Sequence, residues 1–156
     1  KLWLTEYVAS RPQGWHRSGD VGHFDGDGRL WIEGRMGHIV TTPEGPITPV
    51  GIEHAVSSLA GVEATAVVGV GPAGTQHVVV VVVPQARSRR AGLADEALAD
   101  RVRAAIPSTD VAAVLVAPAL PVDQRHNSKI DRARIARWAE GVLAGGRMTM
   151  PCARCC

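Results

Sequence analysis

The chain has 156 residues, 46% of them apolar, enough for one domain or for a small domain joined to a piece of another, with a core drawn mainly from Val, Ala and Leu. A formal net charge of +2 is too small to imply nucleic acid, and the longest apolar run, from Val78 to Pro84, is far too short to span a membrane. All three cysteines, Cys152, Cys155 and Cys156, crowd the C-terminal end, so no disulfide framework staples the body and a reducing, cytoplasmic setting is the default.

The chain opens without methionine, and residues 1–20 are rich in Trp, Gly and His with no periodic element, as in a sequence that starts in mid-protein. No stretch has the pattern of a signal peptide. Residues 25–34, DGDGRLWIEG, read as a turn followed by a strand, with Leu30 and Ile32 alternating against Trp31 and Glu33. A second short strand over 38–42 is expected to complete a hairpin through Gly34 and Gly37.

TPVGIEHAVSSLAG then reads as a helix, with Thr48 as N-cap, Pro49 in the first turn, Gly61 past the end, and Ile52, Val56 and Leu59 as one apolar stripe. Strands are expected over 64–70 and 77–83, the second containing six consecutive valines and therefore buried. Residues 84–92 look like an exposed linker. An amphipathic helix is expected over 93–106, with Leu93, Ala97, Leu98, Val102, Ala105 and Ile106 on one face. A buried strand at 111–116 and a last helix over 131–144 follow, the helix with Ile135, Trp138, Ala139 and Val142 inward and Asp131 at its positive end. The expectation is a small α+β domain in which a few strands are covered by about three helices. There are no internal repeats.

Few residues suggest chemistry. The tail CARCC holds one CxxC, but no second ligand pair lies near it and it stands in a polar tail rather than at the head of a helix after a strand, so no metal or redox site is expected there. The histidines do not stand at metal-ligand spacing. Asp20, in WHRSGD, follows a Ser-Gly turn, where a carboxylate accepts hydrogen bonds from a vicinal diol such as ribose or caps its own turn. Arg35, in EGRMGH, ends a strand between glycines and suits a phosphate or ribose, or an ion pair with Glu33. Lys129 is the only lysine besides residue 1, against fifteen arginines. It stands in a polar loop just ahead of a helix, where a cation is disfavoured unless it serves something else. A lysine on such a loop is suited to insertion into an active site when a domain moves.

In order and spacing, GWHRSGDVGHFDGDGRLWIEGRMGHIV, PVGIEHAVSSLAGVEATAVVGV and LPVDQRHNSKIDR resemble the C-terminal part of the adenylate-forming enzymes. That superfamily includes acyl-CoA synthetases, luciferases and peptide-synthetase adenylation domains. The resemblance covers roughly residues 14 to 138 and implies a two-step reaction. A carboxylate attacks the α-phosphate of ATP to give an acyl-adenylate and pyrophosphate, and a second nucleophile then displaces AMP. By motif, Asp20 matches the ribose-binding aspartate and Arg35 the arginine that also reaches the nucleotide. Lys129 matches the lysine that contacts the substrate carboxylate and the α-phosphate oxygens. The resemblance also implies a lid, residues 35–144, preceded by residues 1–34 as the hairpin end of a large N-terminal AMP-binding domain. Residues 145–156 are expected to be a disordered tail.

Several positions depart from the family pattern. Gly37 stands at the hinge in place of Asp or Lys, Asn127 and Ser128 precede the lysine in place of Ser-Gly or Thr-Gly, Gly51 replaces the first Glu of EIE while Glu53 keeps the second, and Ser18 replaces threonine. VDQRHNSKIDR resembles the loop of the β-lactone synthetases of bacterial olefin biosynthesis, in which the β-hydroxyl of the adenylated acid is the second nucleophile. The resemblance thus implies ATP and magnesium, bound mainly by the N-terminal domain, and a long-chain β-hydroxy fatty acid as substrate. The chain alone is expected to be inactive, with Trp3, Trp15 and Phe24 exposing surface that packs against that domain. A fatty-acyl-CoA ligase and a non-catalytic binding module are the alternatives.

Overall fold

The structure, a computed structural model, describes residues 19–86, 91–122 and 129–148. Trp3, Trp15, Ser18, Asn127, Ser128, residues 87–90 of the expected linker and the CxxC tail lie outside these.

Strands β1 (Asp20–Phe24) and β2 (Leu30–Arg35) form an antiparallel hairpin closed by the DGDG turn. Asp25 organises that turn: its Oδ1 accepts from the N–H groups of Asp27 and Arg29, and its Oδ2 from Arg29 Nε and Trp31 Nε1, both at 2.8 Å. Gly28 takes the left-handed conformation that the turn needs, with φ of +78°. The expected pairing of this strand with residues 38–42 is therefore wrong. The Asp25 turn folds the strand back onto residues 20–24 instead, and Met36–His38 form a 3₁₀ turn that carries the chain onward. The next strand, β3 (Val40–Thr42), pairs with β4 (Gly45–Ile47).

Helix α1 (Pro49–Ser57) begins at Thr48 with proline in its first turn and buries Ile52 and Val56, as expected. Thr48 Oγ1 does not cap the helix but donates to Glu33 Oε2 at 2.7 Å, tying α1 to β2. Strands β5 (Val62–Val70), β6 (His77–Pro84), β7 (Gly92–Leu93) and β8 (Val111–Val116) form one mixed sheet in the order β5-β6-β8-β7, with β6 antiparallel to β5 and parallel to β8.

Side chains alternate across the sheet, so the valine run divides between its two faces. Val78, Val80 and Val82 pack with Val67 and Val114 against α1 and against α2 (Glu96–Ala105). On the opposite face, Val79 and Val81 pack with Ala66, Val68 and Leu115 against α3 (Arg132–Leu143), which contributes Ile135, Trp138, Ala139 and Val142. Each fully buried valine is worth roughly 1.5–3 kcal/mol, so this run carries much of the core.

The helix expected from residue 93 starts three residues later. Leu93 belongs to β7, where it pairs with Leu115 and is 57% exposed, and Ala97 is exposed as well. The start is set by Asp95, whose Oδ1 accepts from Leu98 N at 2.8 Å, and the helix buries Ala99 and Val102. The result is an α+β fold, a sheet with helices on both faces and two short hairpins, one against α1 and one against β5 and β6. No helix among the described residues is long and apolar enough to cross a membrane.

Candidate functional site

A cleft of about 1150 Å³ opens between the end of β2, the β5 edge and the start of α3. Arg35, Gly37, His38, Gln76, Lys129 and Arg132 are among the residues that line it, together with Val67, Val68 and Gly69 of β5. Three of the four residues singled out from sequence therefore share one cavity. The fourth, Asp20, stands behind it and reaches it through Arg35.

Arg35 is placed by the β1–β2 ladder. It lies opposite Asp20, its Nε donates to Asp20 Oδ1 at 3.1 Å, and the next residue extends the ladder with Met36 N–H donating to Gly19 O at 2.8 Å. Glu33 faces elsewhere, with Oε1 2.5 Å from His23 Nδ1 and Oε2 held by Thr48. Glu33 thus serves the hairpin, and Arg35 is directed to Asp20. Gly37 sits in the 3₁₀ turn with open space where a Cβ would stand. The glycine that the backbone requires is Gly34, at φ +128°.

Lys129 is exposed at the lip of the cleft. The residues after it are fixed: Ile130 forms a β-bridge with Val122, Asp131 N–H donates to Pro121 O at 2.9 Å, and Asp131 Oδ1 caps α3 by accepting from Arg134 N at 3.0 Å.

Two features of the cleft went unseen in the sequence. Arg132 and Glu53 form a partly buried ion pair, and a contact spanning 79 residues leaves no local signal. His38 lies beside it with its pKa held below the usual 6.5, first by burial and then by the Arg132 guanidinium, with Arg35 adding to the effect and Glu53 opposing it. Arg35, paired with Asp20, and Lys129 bring two cations to the lining of the cleft, while the Arg132 charge is met by Glu53.

Magnesium does not fit these residues. No group of three or more His, Cys, Asp or Glu that could hold a metal ion occurs among the described residues. The nearby carboxylates are engaged, Asp20 with Arg35, Glu53 with Arg132 and Asp131 with the α3 terminus.

The chain belongs to the adenylate-forming enzymes, although no family model matches it. It is 43% identical over 128 residues to "Olefin beta-lactone synthetase" of Stenotrophomonas maltophilia (strain K279a), and 43% identical over 126 residues to the protein of that name from Xanthomonas campestris pv. campestris. These alignments cover 82% and 80% of this chain, which spans only 23% of the length of either relative. The fold is also that of part of ATP-bound MatB from Rhodopseudomonas palustris, with a TM-score of 0.64 and 24% identity over 83% of this chain and 25% of that one.

Proposed function

We propose that the chain acts as the lid portion of an ATP-dependent, carboxylate-activating enzyme that forms a β-lactone. Residues 35–144 would be the lid and residues 1–34 the end of a larger AMP-binding domain, which would hold the adenine, the magnesium and the acid. A fatty acid carboxylate oxygen attacks the α-phosphorus of ATP and the bond to pyrophosphate breaks. The oxygen of the acid's own β-hydroxyl, which loses its proton, then attacks the acyl carbon. AMP leaves and a four-membered lactone closes.

The observation that carries this reading is the convergence of Arg35 and Lys129, far apart in the sequence, on one cleft. Negative charge builds on the α-phosphate oxygens as the acid attacks, and a cation already in place stabilises it more than water does. An ammonium at the end of a flexible stem delivers that charge as a point, which fits the choice of lysine in an arginine-rich chain. The 43% identity to the two synthetases favours the hydroxyl of the acid over coenzyme A as the second nucleophile.

The test uses the longer protein that this reading requires, given ATP and a long-chain β-hydroxy acid without coenzyme A. Pyrophosphate release with lactone formation, slowed about 10²–10³-fold by Lys129→Ala, is expected. Turnover only with coenzyme A would move the protein to the thioester-forming ligases, and no pyrophosphate in either case would leave a binding module.

A further inference from the structure

Glu53 and Arg132 come from helices on opposite faces of the sheet and meet around its β5 edge. Arg132 Nη2 donates to both carboxylate oxygens of Glu53, at 2.7 and 2.6 Å, with the two side chains only 16% and 15% exposed. Glu53 Oε1 also accepts from Val67 N–H at 2.8 Å. β5 is an edge strand, so that N–H has no neighbouring strand to bond, and the carboxylate takes the strand's place.

An ion pair withdrawn this far from water gives little stability over apolar side chains of the same volume, so stability alone does not account for this one. Its position suggests a use. Arg132 is the first residue of α3 and stands three residues after Lys129. Between them the backbone is held to residues 121 and 122 by the Val122–Ile130 bridge and the Asp131–Pro121 bond. The clasp to Glu53 then fixes this short pinned segment against the β5 edge, whose Val67, Val68 and Gly69 line the cleft.

We propose that Glu53 and Arg132 are positioning residues that set where Lys129 enters the cleft, an assignment that rests on the role proposed above for Lys129. They do not touch the substrate. They act by fixing the backbone from which the lysine projects, and a displacement of about 1 Å there is enough to slow a positioned step roughly 100-fold.

Two measurements test this. In the longer protein, ATP–pyrophosphate exchange is followed for Arg132→Met, Arg132→Lys, Lys129→Ala and the double variant Lys129→Ala/Arg132→Met. Arg132→Met is expected to lower kcat about 10- to 100-fold with KM for ATP little changed, and Arg132→Lys to restore part of it. The double variant is expected to be no slower than Lys129→Ala. A double variant slower by the full Arg132→Met factor overturns the proposal.

The second measurement needs no activity. Labelling this chain with ¹⁵N-lysine marks one internal backbone amide, that of Lys129, because the other lysine is residue 1. Its heteronuclear NOE is expected to fall in Arg132→Met and to stay at the wild-type value in Val102→Ala, a core variant that controls for general loosening. An unchanged NOE in Arg132→Met overturns the proposal. If Lys129→Ala proves as active as wild type, the catalytic role of the lysine fails, and the NOE still decides whether the pair positions this backbone.

Discussion

Asp20 and Arg35 stand opposite each other at the open end of the β1–β2 hairpin, and the Arg35 guanidinium reaches back to the Asp20 carboxylate. The two residues expected to hold a nucleotide are thus held to each other. The pairing holds the Arg35 side chain, which lines the cleft, against a carboxylate that stands behind it.

Because the Arg35 side chain is 55% exposed, the pair is worth at most about 1 kcal/mol to folding. Arg35→Ala is expected to shift Tm by no more than a few degrees. Loss of a charge-assisted hydrogen bond to the nucleotide, by contrast, is expected to weaken ATP binding at least about 10-fold. Differential scanning fluorimetry and isothermal titration of ATP into the longer protein separate the two. Equal affinity in variant and wild type would remove Arg35 from the nucleotide site.

His38 makes stability depend on pH. Its folded pKa lies below the usual 6.5, so the unfolded chain takes up a proton first as pH falls. The neutral imidazole's contribution is fully present above pH 6.5, is lost as pH drops from there toward the folded pKa, and levels off below it. Urea midpoints measured from pH 7.5 downward are expected to decline over this window, and less steeply in His38→Gln. The Arg132, Arg35 and Glu53 charges facing His38 make the slope sensitive to salt.

Asp25 is shifted the same way for a different reason. The Trp31 indole N–H, followed by the Arg29 and Asp27 donors, holds its carboxyl at about 2, below the usual 3.8. The turn is expected to stay intact until pH falls through that range, with its contribution present above pH 3.8 and lost toward pH 2. Carboxyl ¹³C titration of Asp25 checks this, and Trp31→Phe is expected to raise the midpoint toward the ordinary value.

Ile135 tests the packing of α3. It is fully buried, and truncation to alanine is expected to cost about 2–5 kcal/mol. Leu143, on the same helix but 43% exposed, is expected to change stability by no more than about 0.5 kcal/mol when truncated. Urea unfolding of the two variants gives both numbers.

What could be read from the sequence was whatever leaves a local pattern. The inward positions of α3 follow from its helical period, β8 has the expected bounds, and the valine run announces β6. The start of α2 was misplaced because Leu93 fits a helical period and a strand end equally well, and pairing with Leu115 decided it. The partner of β2 was missed because residues 20–24 carry no clear alternation, with glycine and histidine at their centre. Arg35 and Lys129 were legible as odd choices for their surroundings. The Glu53–Arg132 clasp was not, because neither residue stands out alone and only the fold brings them together.

The valine strand has a consequence for synthesis. Six uncharged β-branched residues in a row make a segment prone to cross-chain stacking whenever an edge is open. Its antiparallel partner β5 precedes it and is available at once, but β8 arrives only after α2 has been made. During that interval the nascent chain carries an apolar strand with one side unpaired, followed directly by Pro84 and then Arg87, Arg89 and Arg90. Proline and clustered positive charge are the residues that discourage such stacking. The arginine-rich stretch thus stands, in sequence, where charge of this kind counts most before the protein has folded.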